Sequence, residues 1–192
     1  MILIGKFILA ALVGALIGLG LTSAALQNDF GFGAVTAGPW TAWPRNGGRG
    51  VDPYARAMLA KSGEIPLGSS EGLSFIARAD SGGRRLEPGC DYIVSGPTPQ
   101  ARYWTLTVMT PQGKLLANPS GRSGFTSSEI LRAADGSFAI ALSRRARPGN
   151  WIPLAENDPF ILDLRLYESE FSTSMLAFDA ANLPTIAREV CR

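Results

Sequence analysis

Residues 160–167 read FILDLRLY, and this stretch decides the fold class. Its apolar side chains recur at every second position, at Phe160, Leu162, Leu164 and Leu166. The positions between them carry Ile161, Asp163, Arg165 and Tyr167. Successive side chains of a β-strand point to opposite faces of its sheet, so this alternation predicts a strand with one face on a core and one polar face.

The same alternation recurs along the chain. Four further stretches predict strands: LSFIARA (73–79), DYIVSG (91–96), RYWTLTVMT (102–110) and SFAIALS (137–143). Residues 114–117, KLLA, follow the tight-turn sequence TPQG and are expected to pair back as a hairpin. No long helical pattern separates the strands, so we expect a mainly β fold, an antiparallel β-sandwich, rather than a parallel sheet.

Two short helices and one connection complete this part of the chain. Residues 51–63, VDPYARAMLAKSG, predict a helix with Asp52 as its N-cap. Thr126 and Glu129 have the capping-box spacing and predict a second short helix before ILRAA. The Arg-, Gly- and Pro-rich stretch RRARPGNWIP (144–153) predicts an irregular connection.

The N-terminal segment is apolar and carries a single charged side chain, that of Lys6. Residues 7–26 are uncharged, and about 20 such residues are enough for a helix to cross a bilayer. We favour a retained transmembrane anchor, residues 1–27, that crosses the inner membrane through residues 2–26. A cleaved signal peptide is the alternative, because residues 22–25 are as small as those of a cleavage site.

The domain order follows from this anchor. The positive charge of Lys6 marks the cytoplasmic side, so the remainder of the chain is expected in the periplasm. Residues 28–50 are rich in Gly, Ala, Thr and Trp and predict a linker that lies on the domain. Residues 51–192 predict a periplasmic β-sandwich domain.

The composition excludes several classes of function. The chain contains no histidine, so it builds no Ser-His-Asp triad, Cys-His pair or histidine-bearing metal site by itself. The stretch GSSEG (68–72) matches the pattern of a nucleophile elbow, but its residues are typical of a surface turn. The net charge is +2 and the basic residues are scattered, which argues against nucleic-acid binding. We expect no metal and no cofactor, and we assign no catalytic residue.

Cys90 and Cys191 are the two cysteines of the chain. In an oxidising periplasm they are able to form a disulfide. Closing a loop of roughly 100 residues contributes about 4–5 kcal/mol to stability in the chain-entropy treatment. The alternative is a pair of unbonded thiols, and the sequence leaves both open.

Two groups of residues are candidates for binding a ligand. The first contains Trp43 and Arg45, within GPWTAWPRNGGRG (38–50), where aromatic faces and Arg and Asn donors suit sugars or anionic polymers. Its alternative is that the tryptophans anchor the linker at the membrane interface or on the domain. The second group would line a concave pocket: Tyr103, Asn150, Trp151, Arg165 and Tyr167. Its alternative is a structural polar face, with Asp163 paired to an arginine and Trp151 in the core.

Several separated blocks resemble one bacterial family. In order they are DPYARA, LEPGCDYIV, YWTLTVMTPQGKLLANP, SSEIL, ADGSFAI, RPGNWIPL and FILDLRLY. Together they resemble the family catalogued as domain of unknown function 1214, over roughly residues 38–190. The stretch 168–182 departs from the family pattern, and LPTIAREV near the C-terminus fits it loosely.

The resemblance implies a jelly-roll-like β-sandwich. It also implies a partner, because such domains are often fused to, or encoded beside, a domain of unknown function 1254. This sequence carries no second domain of that kind, which favours a partner protein that supplies it. The family has no established reaction to carry over, and a fold alone does not decide a function.

The sequence therefore predicts a membrane-anchored envelope protein with a non-catalytic role, either assembly with a partner or binding of a ligand. The alternative is a histidine-free hydrolase that uses carboxylates, or one subunit of a two-component enzyme whose partner supplies the missing base.

Overall fold

The computed structural model describes residues 2–27, 33–48, 50–62, 65–68, 70–97, 101–155, 157–169 and 182–191. Two helices lie in these ranges, α1 (Ile2–Gln27) and α2 (Pro53–Ser62). The strands are β1 (Val35–Ala37), β2 (Trp40–Ala42), β3 (Gly72–Ala77), β4 (Cys90–Gly96), β5 (Ala101–Met109), β6 (Gly124–Thr126), β7 (Phe138–Ser143), β8 (Asn150–Pro153), β9 (Ile161–Ser169) and β10 (Thr185–Cys191). The described part of the chain is mainly β.

The first sheet is antiparallel and has six strands, in the order β1-β2-β3-β9-β5-β6. The stretch FILDLRLY forms most of β9, between β3 and β5, and Leu164 lies opposite both Phe75 and Leu106. Leu162, Leu164 and Leu166 are fully buried, as the alternation predicts. This strand is therefore the one on which the sheet is centred.

The second sheet has four strands, in the order β10-β4-β7-β8. Its β7–β8 pair is parallel, with Leu142 beside Ile152, so the sheet is mixed rather than antiparallel. The prediction of an irregular connection over 144–153 was wrong for its second half, which is β8. Ile152 is fully buried, and the strand geometry brings this side chain onto the core face beside Leu142.

The two sheets share one core. The rings of Trp104 on β5 and Phe138 on β7 lie 4.9 Å apart, and those of Tyr92 on β4 and Phe160 lie 5.9 Å apart. In each pair one ring belongs to the four-stranded sheet and the other lies on or next to the six-stranded sheet. The two sheets therefore pack face to face, and each buries one of its faces. The predicted mainly β architecture of packed strands is confirmed.

Helix α2 begins as predicted. The side chain of Asp52 accepts hydrogen bonds from the backbone N–H groups of Tyr54 at 3.0 Å and Ala55 at 3.1 Å. These donors have no partner inside the helix, so the Asp52 carboxylate satisfies them.

The second helix, predicted from Thr126 and Glu129, was wrong. Thr126 ends β6, and the chain then turns. In that helix Leu131 N–H would donate to the Ser127 carbonyl. It donates instead to Asn150 Oδ1 at 2.8 Å, and the Leu131 carbonyl accepts from Asn150 Nδ2 at 2.8 Å. Tertiary hydrogen bonds thus override a local capping signal.

The segment predicted to be a linker, residues 28–50, contributes two strands to the first sheet. These are β1 and β2, while residues 28–32 and 49 lie outside the described residues. Trp40 on β2 is fully buried, and its Nε1 donates to the carbonyl of Pro184 at 2.7 Å. An indole buried with its N–H satisfied fixes this part of the chain to the domain.

Helix α1 is apolar on all sides except at Lys6. Residues Leu3–Ala24 form one helix long and apolar enough to cross a membrane, and none of them is buried against the rest of the protein. A helix that is apolar all round and unpacked in water exposes an unusually large hydrophobic surface, which a bilayer would cover.

Candidate ligand-binding groove

The outer face of the six-stranded sheet is polar where β5 and β9 pair. The register places Tyr103 opposite Tyr167, and Thr105 opposite Arg165. These residues alternate with the buried side chains of their strands, so they share the face that points away from the core.

An open groove of about 460 Å³ runs over this face. Its volume falls in the range of ligand sites, roughly 300–1,000 Å³. It is lined by Thr105, Thr107, Met109, Leu115, Gly121, Ser123, Gly124, Phe125, Thr126, Arg165 and Tyr167. The lining combines hydroxyl groups with apolar side chains and one guanidinium.

One wall of the groove is the hairpin-like segment between β5 and β6. The predicted turn forms, with Gly113 N–H donating to the Thr110 carbonyl at 2.9 Å, although KLLA returns as one isolated bridge rather than a strand. The Asn118 side chain then closes the loop by donating to the carbonyls of Leu116 at 3.2 Å and Arg122 at 2.9 Å. The wall is therefore ordered by its own hydrogen bonds.

The close approach of β6 to β5 depends on a glycine. A Cβ atom on Gly124 would lie 2.4 Å from the carbonyl oxygen of Leu106, which is closer than real contacts allow. Any side chain here would push β6 away from β5 and widen the groove at this wall.

The single cation of the lining is held by a carboxylate. Arg165 Nε donates to Asp163 Oδ2 at 2.8 Å, and Ser74 Oγ donates to Asp163 Oδ1 at 2.6 Å. The Asp163 side chain is 2% exposed and that of Arg165 is 26% exposed. The formal charges of the pair cancel, and the guanidinium is the member that reaches the groove.

An aromatic pair lies at one end of the groove. The rings of Tyr103 and Tyr167 are 5.8 Å apart and tilted by 49°. Tyr103 is exposed, and beyond it Arg102 and Glu168 form a surface ion pair at 3.0 Å. Together the tyrosines present ring surface and phenol groups to solvent.

The structure brings three of the predicted site residues together and separates two others. Tyr103, Arg165 and Tyr167 share the outer face of the six-stranded sheet, whereas Asn150 and Trp151 lie on β8 of the other sheet. The prediction of a single pocket formed by all five is therefore corrected, because the strands that carry them belong to different sheets.

Asn150 and Trp151 have structural partners. The Asn150 amide accepts from Leu131 N–H at 2.8 Å and donates to the carbonyls of Leu131 at 2.8 Å and Ala139 at 3.0 Å. Trp151 Nε1 donates to the Ser143 carbonyl at 2.9 Å. Asn150 thereby fixes the loop before β7.

Trp43 and Arg45 lie outside the groove. Trp43 is half-buried and lines a separate cavity of about 40 Å³ together with Pro44, Pro66, Leu67 and Ser74, among others. That volume suits a few water molecules rather than a ligand. Arg45 is exposed in the turn that follows, where its carbonyl accepts from Gly48 N–H at 3.0 Å.

The GSSEG stretch is a turn, as predicted. The N–H groups of Glu71 and Gly72 both donate to the Gly68 carbonyl, at 2.8 and 3.2 Å, and Ser70 is exposed. A Cβ atom on Gly72 would lie 2.2 Å from the Leu166 carbonyl oxygen, so this glycine allows β3 to pair with β9. The second glycine of the motif is therefore required for strand pairing in the sheet.

A second cluster surrounds Arg188, and it was not predicted from the sequence. Arg188 Nε donates to Asp80 Oδ2 at 2.9 Å, and its NH2 group donates to the carbonyl of Arg85. Its NH1 group lies 3.4 Å from a carboxylate oxygen of Glu87. Asp80 also accepts from the backbone N–H groups of Gly82 at 2.9 Å and Arg84 at 3.0 Å.

These contacts shift the ionisation of both partners. Burial alone would raise the pKa of Asp80, but the Arg84 backbone N–H and the Arg188 guanidinium outweigh it and hold that pKa below its ordinary value. Burial would lower the pKa of Arg188, but the hydrogen bond to Asp80 and the neighbouring Tyr92 and Glu87 raise it. The pair is charged at neutral pH.

Cys90 and Cys191 form a disulfide beside this cluster. Arg188 NH1 lies 3.5 Å from the Cys90 sulfur and 3.9 Å from the Cys191 sulfur. Of the two alternatives that the sequence left open, the structure contains the bonded pair. No group of three or more His, Cys, Asp or Glu side chains that could hold a metal ion occurs in the described ranges.

Comparison with known proteins identifies a family without identifying an activity. No curated protein matches the chain. The crystal structure of the VPA0106 protein from Vibrio parahaemolyticus is similar in fold, with 21% identity and a TM-score of 0.56 over 73% of this chain and 36% of that chain. A crystal structure of an uncharacterised protein from Burkholderia cenocepacia matches with 20% identity and a TM-score of 0.44, over 73% and 44% of the two chains.

The chain therefore spans less than half the length of either structure. The family described as "Protein of unknown function (DUF1214)" matches residues 71–171, which is more than half of the chain and includes every strand that lines the groove. This chain belongs to that family.

Proposed function

We propose that this protein is a membrane-anchored envelope domain that binds an extended, uncharged, polyhydroxylated ligand in the groove over β5, β6 and β9. The observation that carries the proposal is the lining of that groove: a row of hydroxyl groups beside an aromatic pair and a charge-compensated arginine. The ligand class follows from the shape, charge and chemistry of this surface.

The shape favours a chain-like ligand. The groove is open to solvent and is walled on one side by the ordered loop between β5 and β6. An enclosed cavity would surround a small molecule, but an open groove of about 460 Å³ accommodates a few units of a longer chain that continues into solvent.

The charge favours a neutral ligand. Arg165 is the only charged residue of the lining, and Asp163 compensates its charge from below at 2.8 Å. Because the charges of the pair cancel, the groove gives an anionic ligand little electrostatic attraction. A neutral hydroxyl can accept a hydrogen bond from the guanidinium without displacing that carboxylate.

The chemistry favours hydroxyl groups with apolar faces between them. Thr105 and Thr107 donate or accept as their hydroxyls rotate, which matches the mixed donor and acceptor character of sugar hydroxyls. Thr126 Oγ1 shares a hydrogen bond with Ser128 Oγ at 3.0 Å and keeps further capacity for a ligand. The rings of Tyr103 and Tyr167 provide flat surface for the C–H faces of such a ligand. The sequence suggested sugars or anionic polymers as ligands of the Trp43 group, and we propose the groove instead as the surface that binds a sugar.

Location is part of the proposal. We propose that α1 anchors the protein in the inner membrane and that the β domain faces the periplasm. The length of α1 supports the anchor. The Cys90–Cys191 bond supports an oxidising compartment, where disulfides persist. The jelly-roll arrangement that the family resemblance implies stays a prediction.

The test is calorimetric titration of the full-length protein, in mild detergent, with two matched panels of oligosaccharides. One panel is neutral and the other carries carboxylate or sulfate groups on the same backbones. We expect binding to at least one neutral chain and weaker binding to its charged counterpart. Absence of binding to both panels would contradict the proposed function.

Two variants test whether the ligand binds in the groove or elsewhere on the six-stranded sheet. Thr105→Val and Thr107→Val together replace two hydroxyls by methyl groups of similar size, and we expect a loss of about thirtyfold in affinity because each lost hydrogen bond costs roughly 1 kcal/mol. Thr36→Val is the control, since Thr36 is exposed on β1 at the other edge of the same sheet. Equal affinities of the two variants would place the ligand elsewhere.

A second candidate function is assembly with a partner protein. The registers align Ala187, Ile93, Ala141 and Trp151 in one row across the outer face of the four-stranded sheet. The fold-level likeness to the VPA0106 protein covers only 36% of that longer chain. We propose that a partner with a domain of unknown function 1254 would cover this row, and the mass of the complex extracted from native membranes tests it. A chain that is always recovered alone would contradict assembly.

The catalytic alternative stays a prediction. A histidine-free hydrolase, or one subunit of a two-component enzyme, would show turnover by the purified chain or by the chain with its partner. Ser70 lies in an exposed turn, so Ser70→Ala is the variant that discriminates. An activity that it abolished without unfolding the domain would favour the enzyme.

A further inference from the structure

We infer that Cys90–Cys191 is a thiol–disulfide exchange site whose reaction partner is a dithiol protein, with Arg188 as the group that stabilises the departing thiolate. This inference is independent of the groove, which lies on the other sheet. It rests on three features of the disulfide: the unequal exposure of its two halves, the position of a cation, and the contacts that hold the cation in place.

The two cysteines differ in access. Cys90 is buried, with 2% of its surface exposed, and it begins β4. Cys191 is exposed and ends β10, which is the edge strand of its sheet. A thiolate from solution therefore meets the Cys191 sulfur, and the Cys90 sulfur becomes the leaving group.

A cation lies at the leaving group. Arg188 NH1 is 3.5 Å from the Cys90 sulfur, close enough to stabilise a thiolate there. A leaving thiol with a lower pKa departs faster, so this placement favours opening of the bond in the direction set by exposure. Glu87 opposes the effect, because one of its carboxylate oxygens lies 3.8 Å from the same sulfur.

The guanidinium is positioned by groups other than the sulfurs. Asp80 holds Nε at 2.9 Å, and the carbonyl of Arg85 accepts from NH2. The Tyr92 ring lies beneath the guanidinium carbon at 5.4 Å, and Glu87 balances part of its charge at 3.4 Å. The Arg188 side chain is 7% exposed, so it is expected to keep its place when the disulfide opens.

The reaction balances in two displacements. A thiolate of the partner attacks the Cys191 sulfur, the Cys90–Cys191 bond breaks, and its electron pair stays on Cys90 beside Arg188. The second thiolate of the partner then attacks the mixed disulfide and releases Cys191 as a thiolate. The partner dithiol loses two electrons and becomes a disulfide, and Cys90 and Cys191 gain them and are protonated according to the pH.

The first test measures how fast the bond opens in the full-length protein in mild detergent, with dithiothreitol as the probe, by acid quench, alkylation and mass determination. We expect Arg188→Gln to slow opening about tenfold, and Arg188→Lys to retain most of the rate because it keeps the charge. Arg84→Gln is the matched control: Arg84 binds the same Asp80 carboxylate at 3.3 Å, and its side chain is 66% exposed. We expect Arg84→Gln to react within about twofold of the wild type, because the described contacts of Arg84 include neither sulfur.

Two results would overturn the inference. One is a folded Arg188→Gln protein that opens at the wild-type rate. The other is a wild-type bond that opens only in proportion to the unfolded fraction as urea is added, which would make the disulfide purely structural.

A second measurement decides the case if the Arg188 variants do not fold. The Cys191→Ser variant leaves Cys90 as a thiol beside an intact Arg188. The absorbance of the thiolate band, followed against pH, gives the pKa of Cys90 in this variant. We expect that pKa to lie below the ordinary thiol value of about 8.5. A midpoint at or above that value would mean that burial and Glu87 outweigh Arg188, and the inference would fail.

Discussion

Two of the arginine–aspartate pairs in the described part of the chain have nearly the same nitrogen–oxygen distance and different surroundings. Arg165 meets Asp163 at 2.8 Å, and Arg188 meets Asp80 at 2.9 Å. Both carboxylates are almost fully buried. The arginines differ, because the side chain of Arg165 is 26% exposed in an open groove and that of Arg188 is 7% exposed beside a disulfide.

The difference shows that exposure of the cation, rather than length of the ion pair, decides what such a pair can do. Asp163 accepts from two side chains and leaves Arg165 facing a surface where a ligand has room. Asp80 accepts from two backbone N–H groups as well as two arginines, and it joins the turn after β3 to β10. The first pair suits binding and the second suits the fold and the disulfide.

The largest expected effect is on stability when each carboxylate is removed. Asp80→Ala leaves a buried guanidinium and two backbone donors without their acceptor, so we expect a loss of about 3–5 kcal/mol in the free energy of unfolding. Asp163→Ala leaves a guanidinium that can turn toward water, and we expect a loss of about 1–2 kcal/mol. Urea unfolding followed by tryptophan fluorescence measures both losses, and equal losses would contradict the difference between the two ion pairs.

A smaller effect on the free energy of unfolding is expected when the pH is lowered. The pKa of Asp80 lies below its ordinary value in the folded protein, so its stabilising contribution is complete above the unfolded-state pKa of about 3.9. That contribution is lost as the pH falls through the lower, folded-state value. We expect the free energy of unfolding to decrease below about pH 4, and the Asp80→Asn variant to show a shallower decrease. A slope unchanged by that variant would mean that other carboxylates, such as Asp135, account for it.

The smallest effect on the free energy of unfolding is expected from replacing Arg84, the exposed partner of Asp80. The side chain of Arg84 is 66% exposed where it meets Asp80 at 3.3 Å. Exposed ion pairs contribute about 0–1 kcal/mol, so Arg84→Met should change the free energy of unfolding by less than about 1 kcal/mol. A loss as large as that of Asp80→Ala would mean that Arg84, and not Arg188, holds the carboxylate.

The parts of the fold that local pattern decides could be predicted from the sequence. Period-two alternation gave β5, β7 and β9, and an aspartate before a proline gave the start of α2. These signals depend on residues close in sequence. For the same reason the alternation placed Tyr103, Arg165 and Tyr167 on polar faces, although it did not show that their strands are neighbours.

The incorrect and missed predictions concern parts of the fold that are determined by contacts between residues distant in sequence. The helix predicted after Thr126 does not form because the Asn150 amide engages the backbone N–H and carbonyl of Leu131. The strand β8 was missed because its parallel pairing follows from burial of Ile152 rather than from alternation. The Arg188 cluster joins residues about a hundred positions apart in sequence, and a lone arginine near the C-terminus carries no local sign of it.

The most direct test of the proposed ligand site in the groove is a substitution of Arg165. The measurement is the affinity of the Arg165→Lys variant for the neutral oligosaccharide that the wild type binds best, with Arg84→Lys as control. Lysine keeps a positive charge beside Asp163 but loses the planar guanidinium that reaches the groove. We expect the affinity to fall about tenfold while the fold is retained, and the control to bind like the wild type. An Arg165→Lys protein that binds as tightly as the wild type would contradict a ligand site in this groove.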